Sequence, residues 1–123
     1  TGQQAKHLVV RNDTRGKTLV SSGRRAASYW TRLRGLIATS PLAAGEGLMI
    51  VPGGQIHTHF MGYPIDVLYL DREGSVIGMD CDLRPWRLGR AYRGTRYTLE
   101  LPAGALAASD TRLGDQISWE ECA

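Results

Sequence analysis

Ile65-Asp66-Val67-Leu68-Tyr69-Leu70, then Asp71-Arg72-Glu73-Gly74, then Ser75-Val76-Ile77-Gly78-Met79 is the stretch from which the fold is read. Its first six residues form a continuous β-type run broken only by one carboxylate, a length that suits a buried strand. Four turn-forming residues follow and a second apolar-rich run returns. The stretch therefore predicts a β-hairpin with a glycine at the turn's exit.

The same pattern extends in both directions. Downstream, Thr95-Arg96-Tyr97-Thr98-Leu99-Glu100-Leu101 alternates as a strand, Pro102-Ala103-Gly104 through Ala108 reads as one short helical turn, and Leu113 through Trp119 reads as a turn and a last strand. Upstream, Gln55 to Phe60 alternates, and Leu48-Met49-Ile50-Val51 is a buried-type strand stopped by Pro52-Gly53-Gly54. Leu8-Val9-Val10 and Lys17-Thr18-Leu19-Val20 form an N-terminal hairpin that ends at Ser21-Ser22-Gly23. The best helical stretch follows, with Ala26, Ala27, Trp30, Leu33 and Ile37 at spacings of three and four, ended by Ser40-Pro41. The expected fold is mainly β: a single-domain β-sandwich or barrel-like arrangement of about seven or eight short strands with one or two short helices.

At 123 residues and 42% hydrophobic, the chain has one core's worth of sequence, and a single domain over 1–123 is expected. No run approaches the ~20 apolar residues of a membrane-spanning helix. The first residues lack the apolar centre of a secretory signal, so a cytoplasmic location is expected as given, with a removed leader or lipid anchor left open. Cys81 and Cys122 lie far apart in no metal-type spacing, and two reduced thiols are expected.

The net charge of +3 conceals a strong segregation. Residues 1–45 carry eight basic groups against Asp13, and residues 46–82 carry six acids against Arg72. Residues 83–99 carry five arginines and no acid, while residues 100–123 sum to −4. Such blocks are expected to pair across the fold, with the 84–96 arginines engaged largely by acids of the same chain.

The motifs fall in a recognisable order. Arg32-Leu33-Arg34-Gly35-Leu36-Ile37, Gly45-Glu46-Gly47-Leu48, Ile56-His57-Thr58-His59-Phe60-Met61 and Pro64-Ile65-Asp66-Val67 come first. Leu70-Asp71-Arg72-Glu73-Gly74-Ser75-Val76, Leu99-Glu100-Leu101-Pro102-Ala103-Gly104 and Leu113-Gly114-Asp115 follow. In this order they resemble the family called domain of unknown function 192, over about residues 8–119. Ile37 stands where methionine is common, and Gly62-Tyr63 replaces a more polar pair. The resemblance implies a compact, β-rich prokaryotic domain, often behind a leader or lipid anchor, and no established activity, cofactor or partner. His57, Thr58, Met61 and Asp66 match its densest motif.

Asp66 is the most informative candidate, because a carboxylate inside an apolar strand must be satisfied by an arginine or by backbone N–H groups. Arg34 or an arginine of the 84–96 block is a natural partner. The leading functional reading is a non-enzymatic small-ligand-binding or accessory domain. Its pocket would be lined by His57, Thr58, Met61, Asp66 and Arg34 and would take a small polar or anionic ligand. The alternative is a small hydrolase or lyase with His57 as general base oriented by Asp66. His57 and His59, two apart on a strand, would share a face and with Asp66, Asp80 or Cys81 could bind a metal, although a structural histidine is the plainer role. No cofactor is expected.

Trp86, Arg87, Arg90, Tyr92, Arg93, Arg96 and Tyr97 interleave aromatics with arginine, a composition that suits RNA. Neutralisation by the acidic 46–82 block argues against nucleic acid as a partner. Leu113-Gly114-Asp115 reads as a structural turn, and Cys81, between Asp80 and Asp82, as a disfavoured thiolate.

Overall fold

The computed structural model describes residues 7–26, 41–58 and 61–123. Among them lie seven strands: β1 (His7–Asn12), β2 (Lys17–Ala26), β3 (Glu46–Ile50), β4 (Ile65–Leu70), β5 (Val76–Leu83), β6 (Tyr97–Pro102) and β7 (Ile117–Cys122). One short helix, α1 (Ala105–Ala108), precedes β7. The strands form one sheet in the order β5-β4-β6-β3-β2-β1-β7, antiparallel throughout except for the β2–β3 pair. Mainly β is thus the fold.

β5 and β7 are the ends of that order, yet the sheet curls until they meet. Ser75 and Gln116 form an antiparallel bridge. Beside it the Val76 N–H donates to the Asp115 carbonyl and the Ile117 N–H to the Gly74 carbonyl, both at 2.9 Å. Gly74 makes this closure possible. Its φ is +82°, and a Cβ there would lie 2.5 Å from the Ile117 carbonyl oxygen. The barrel-like expectation corresponds to this near-closure.

The continuous apolar run of β4 has a direct cause, since both its faces are buried. Leu68 and Leu70 point into the curl, where every strand and α1 contribute to one core through residues such as Val10, Val20, Met49, Leu101, Leu106 and Ile117. Ile65, Val67 and Tyr69 point outward into a second cluster with Leu48, Ile50, Ile56 and Met61. That outer cluster is covered by loops instead of strands.

Two expectations are corrected. The helix read from Ala26 onward does not begin there: Arg24, Arg25 and Ala26 continue β2 and pair in parallel with Leu48, Met49 and Ile50. Ala26 closes an irregular strand in which Val20, Gly23 and Ala26 are buried in turn. The rest of that reading, including Arg34, lies outside the described residues. Gln55 to Thr58 does not form a strand either; its one ladder contact is an isolated bridge between His57 and Leu88. The backbone there bonds to the 84–89 segment, with the Gly89 N–H on the Ile56 carbonyl at 2.7 Å. His59 and Phe60 lie outside the described residues.

Candidate functional site

After Leu83, paired with Ile65 at one end of β4, the chain reverses at Arg84-Pro85 and runs back over the outer cluster. Its path is traced by hydrogen bonds. The Arg90 N–H donates to Asp80 Oδ2 at 3.0 Å, and the Tyr92 hydroxyl donates to the Met79 carbonyl at 3.1 Å. The Arg96 N–H reaches the carbonyl of Leu70, the far end of β4, at 2.8 Å. Residues 84–96 therefore form a strap along the whole of β4 and β5. Tyr92 anchors its middle, 4.7 Å from the Tyr69 ring, and lies on Gly78, where a Cβ would fall 2.4 Å from the Tyr92 ring.

Thr58 pins the other end. It is fully buried, and its N–H donates to the Arg87 carbonyl at 2.8 Å. Its hydroxyl donates to the Arg84 carbonyl and accepts from the Arg87 N–H at 2.9 Å, while its carbonyl accepts from the Trp86 N–H at 2.9 Å. These bonds hold Trp86 at φ +63°, an uncommon conformation for so bulky a residue. Trp86 is 53% and Leu88 63% exposed.

The five strap arginines are all exposed. Arg84 Nε lies 3.1 Å from Asp82 Oδ2, and the Arg96 guanidinium lies 5.9 Å from the centre of the Tyr97 ring. Arg87, Arg90 and Arg93 make no ion pair among the described residues. The expectation that acids of the chain engage this block is thereby corrected. Two of those acids have other duties: Asp80 accepts from the Tyr69 hydroxyl at 2.8 Å, and Asp66 faces the opposite side of β4. The C-terminal acids instead meet the first basic block, through Arg15–Asp115 at 3.0 Å and Arg25–Glu121 at 2.7 Å. Between the strap and β5 lies a cleft of about 510 Å³, whose border includes Asp80, Cys81, Asp82, Arg84, Arg87 and Arg90.

Asp66 is 1% exposed and turned into the curl with Leu68 and Leu70. Of the two partners expected for it, backbone N–H groups are observed. Asp66 Oδ1 accepts from the Asp82 N–H at 2.8 Å and Oδ2 from the Leu106 N–H at 2.9 Å. The carboxylate thus ties α1 to β5, where the pairing with β4 shifts register and Asp82 adopts φ +52°. The segment carrying His57 covers the other face of β4 through Ile56 and Met61. Half-buried His57 and Asp66 are therefore on opposite sides of one strand, and Met61 is packed in the outer core. Among the described residues no three His, Cys, Asp or Glu side chains gather in a metal-binding group.

Burial pushes the Tyr69 hydroxyl well above its ordinary range, helped by the hydrogen bond to Asp80. The Cys81 thiol is also raised, first by burial and then by the charges of Asp66 and Asp80, in line with a disfavoured thiolate. Cys81 and Cys122 are free thiols.

Two features escaped the sequence reading. Thr58, singled out in the sequence only as a ligand contact, is a buried bonding hub. Glu100 and Thr98 are fully buried on the outer face of β6, where they alternate with the equally buried Leu99 and Leu101. The only signal was that β4, paired with β6, is apolar on both faces.

The Gly114-Asp115 turn has the structural character read for it. Asp115 Oδ2 accepts from Asn12 Nδ2 at 2.9 Å, Arg15 Nε at 3.0 Å and the Arg112 N–H at 3.0 Å. The Arg15 hydrogen bond, with those of Asn12 and Arg112, holds the Asp115 carboxyl down at about 2. Away from the strap, a more apolar cleft of about 430 Å³ lies between Leu19, Gly45, Pro102 and Ala108. Among the described residues no helix is long and apolar enough to cross a membrane.

Similar proteins share this architecture. A structure of a "putative transcription regulator" from Sinorhizobium meliloti superposes with a TM-score of 0.77 at 19% identity, covering 97% of each chain. A protein of unknown function from Novosphingobium aromaticivorans gives 0.75 at 18% identity, over 92% of this chain and 84% of that one. At such identities the likeness is one of fold. The UPF0127 protein of Thermococcus sibiricus is 32% identical over 114 residues, 89% of this chain and 73% of the relative. That of Pyrococcus horikoshii is 29% identical over 116 residues, 90% of this chain and 98% of the relative. The profile of the family described as "Uncharacterized ACR, COG1430", or DUF192, matches residues 10–119, and the chain belongs to that family.

Proposed function

We propose that this protein is a single-domain, non-enzymatic binding module that takes a small polar anion in the cleft between β5 and the strap, beside the His57–Asp66 segment. The observation that carries this reading is the pair Arg87 and Arg90. Both border a cleft of about 510 Å³, and neither has an ion-pair partner among the described residues; of the two acids that also line it, Asp82 is paired with Arg84 and Asp80 accepts from the Tyr69 hydroxyl and the Arg90 N–H. That volume falls within the ordinary range for small-molecule sites, and guanidinium groups suit bidentate contact with carboxylate or phosphate. On this reading Thr58 and Met61 shape the site from beneath, Asp66 fixes the Asp82 backbone at its edge from the opposite face of β4, and His57 borders it through its bridge to Leu88. The hydrolase alternative is less favoured, because both Asp66 oxygens already accept backbone hydrogen bonds across the strand from the His57 segment.

Thermal unfolding at low salt with inorganic phosphate, citrate and other small di- and tricarboxylates tests the proposal. An anion at ten times its Kd stabilises by ~1.4 kcal/mol, a rise in Tm of roughly 3–6 °C for a chain this size. Replacing both Arg87 and Arg90 with alanine should abolish the rise and leave the ligand-free Tm within about 2 °C, as expected for exposed side chains. Stabilisation that persists in the double variant, or none from any anion, would sink the idea.

A further inference from the structure

Cations are only part of the wall of the cleft between β5 and the strap. Asp80 and Asp82 border it too, and Met79, Leu83 and Leu88 supply apolar surface. Asp82 is paired with Arg84 at 3.1 Å. Asp80 is different, because only one of its oxygens is engaged. Its Oδ2 accepts from the Tyr69 hydroxyl at 2.8 Å and from the Arg90 N–H at 3.0 Å. Its Oδ1 has no hydrogen bond or ion pair among the described residues.

This half-buried carboxylate is built into the frame. Tyr69 is fully buried in the outer cluster and directs its hydroxyl to Asp80. Gly89 lets the strap close over the pair, since a Cβ there would fall 2.7 Å from the Tyr69 hydroxyl and 2.9 Å from Asp80 Oδ2. Two bonds to Oδ2 restrict the whole planar group, and an acceptor fixed before binding spares a ligand the cost of ordering it. Tying the strap to β5 requires Oδ2 alone. A ligand that is purely anionic would be repelled by Asp80, whereas one that also carries a cationic end would be held at both ends.

We infer that the ligand of this cleft is a small aminocarboxylate, its carboxylate on Arg87 and Arg90 and its ammonium group on Asp80 Oδ1. The inference rests on the anion site proposed above and names the class of ligand that site takes. Both contacts are charge-assisted hydrogen bonds, the stronger kind, and a guanidinium meets a carboxylate bidentately. An ammonium group is specified over a hydroxyl because it answers the charge of Asp80 as well as its lone pairs. The apolar surface of Met79, Leu83 and Leu88 suits the carbon skeleton between the two charged ends.

Isothermal titration calorimetry of the full chain with glutamate and glutarate, at about pH 7 and low salt, is the test, because the two differ only by the ammonium group. Aspartate and succinate form a second matched pair. Glutamate should bind roughly tenfold tighter than glutarate, the worth of one hydrogen bond between charged groups. A cleft that reads negative charge alone gives the reverse order, since glutarate carries the larger net charge. Asp80→Asn keeps an acceptor for Tyr69 and Arg90; it should weaken glutamate roughly tenfold and leave glutarate unchanged or tighter. Tyr69→Phe keeps the carboxylate and loosens its orientation, so it should narrow the preference while glutarate affinity holds. A variant that had merely lost its fold would lose both ligands together. Equal binding of glutamate and glutarate by the parent, or a preference that survives Asp80→Asn, overturns the inference and leaves the anion site standing. 2-Hydroxyglutarate binding as tightly as glutamate overturns it too. So does the absence of binding by both matched pairs, and phosphate and citrate then decide the anion site separately.

Discussion

Asp66 and Thr58 are polar residues placed where sequence alone suggests ligand contact, and both serve the frame. Each is buried, with its polar atoms on backbone groups of a neighbouring segment. Removing a buried hydrogen-bonding group leaves its partners unpaired, at about 1–3 kcal/mol. Thr58→Val keeps the shape and removes the bonds to the Arg84 carbonyl and the Arg87 N–H. It should destabilise the protein by ~2 kcal/mol in urea unfolding and accelerate hydrogen exchange at Arg87, with Thr58→Ser close to the parent. Unchanged exchange at Arg87 would mean that the hydroxyl does not hold the strap.

At the scale of elements, the strap depends on one glycine. Gly78 lies within β5, and the Tyr92 ring occupies the space its side chain would need. A methyl 2.4 Å from that ring is overpacking, which costs typically 1–3 kcal/mol. Gly78→Ala should therefore destabilise by ~2 kcal/mol and detach the middle of the strap. In a Tyr92→Ala background the same substitution should cost markedly less, because groups in contact act non-additively. A denaturation cycle on the four proteins checks this, and equal costs in both backgrounds would refute the seating of Tyr92 on Gly78. The same element shows the reach of local pattern: Ser75 to Met79 reads as the returning strand, whereas the extension to Leu83 follows from pairing with Ile65.

For the molecule as a whole, the charge blocks partition the surface. The first basic block and the C-terminal acids join near the chain ends, where Asp115 with Arg15 and Asn12 clasps the β1–β2 turn to the approach of β7. This clasp makes stability pH-dependent. Asp115 has a folded pKa of about 2 against an ordinary 3.8, so the unfolded chain binds its proton more readily. Its contribution is present above about pH 4 and is lost as the pH falls toward 2. The stability difference between the parent and Asp115→Asn should accordingly shrink from pH 5 to pH 2; a constant gap would refute the linkage. The sequence by itself determined the mainly β fold, the hairpin around Asp71–Gly74, the short helix after Pro102 and the structural turn at Asp115. Periodicity and turn chemistry are local, and they survive the reading of one chain without its contacts. Only the tertiary structure decided that β2 runs on to Ala26, that Asp66 and the His57 segment occupy opposite faces of β4, and that the 84–96 arginines look outward while the acids turn elsewhere. Those outcomes depend on which distant segments meet. Charge counts along a chain carry no information about that, because an ion pair is set by position in space.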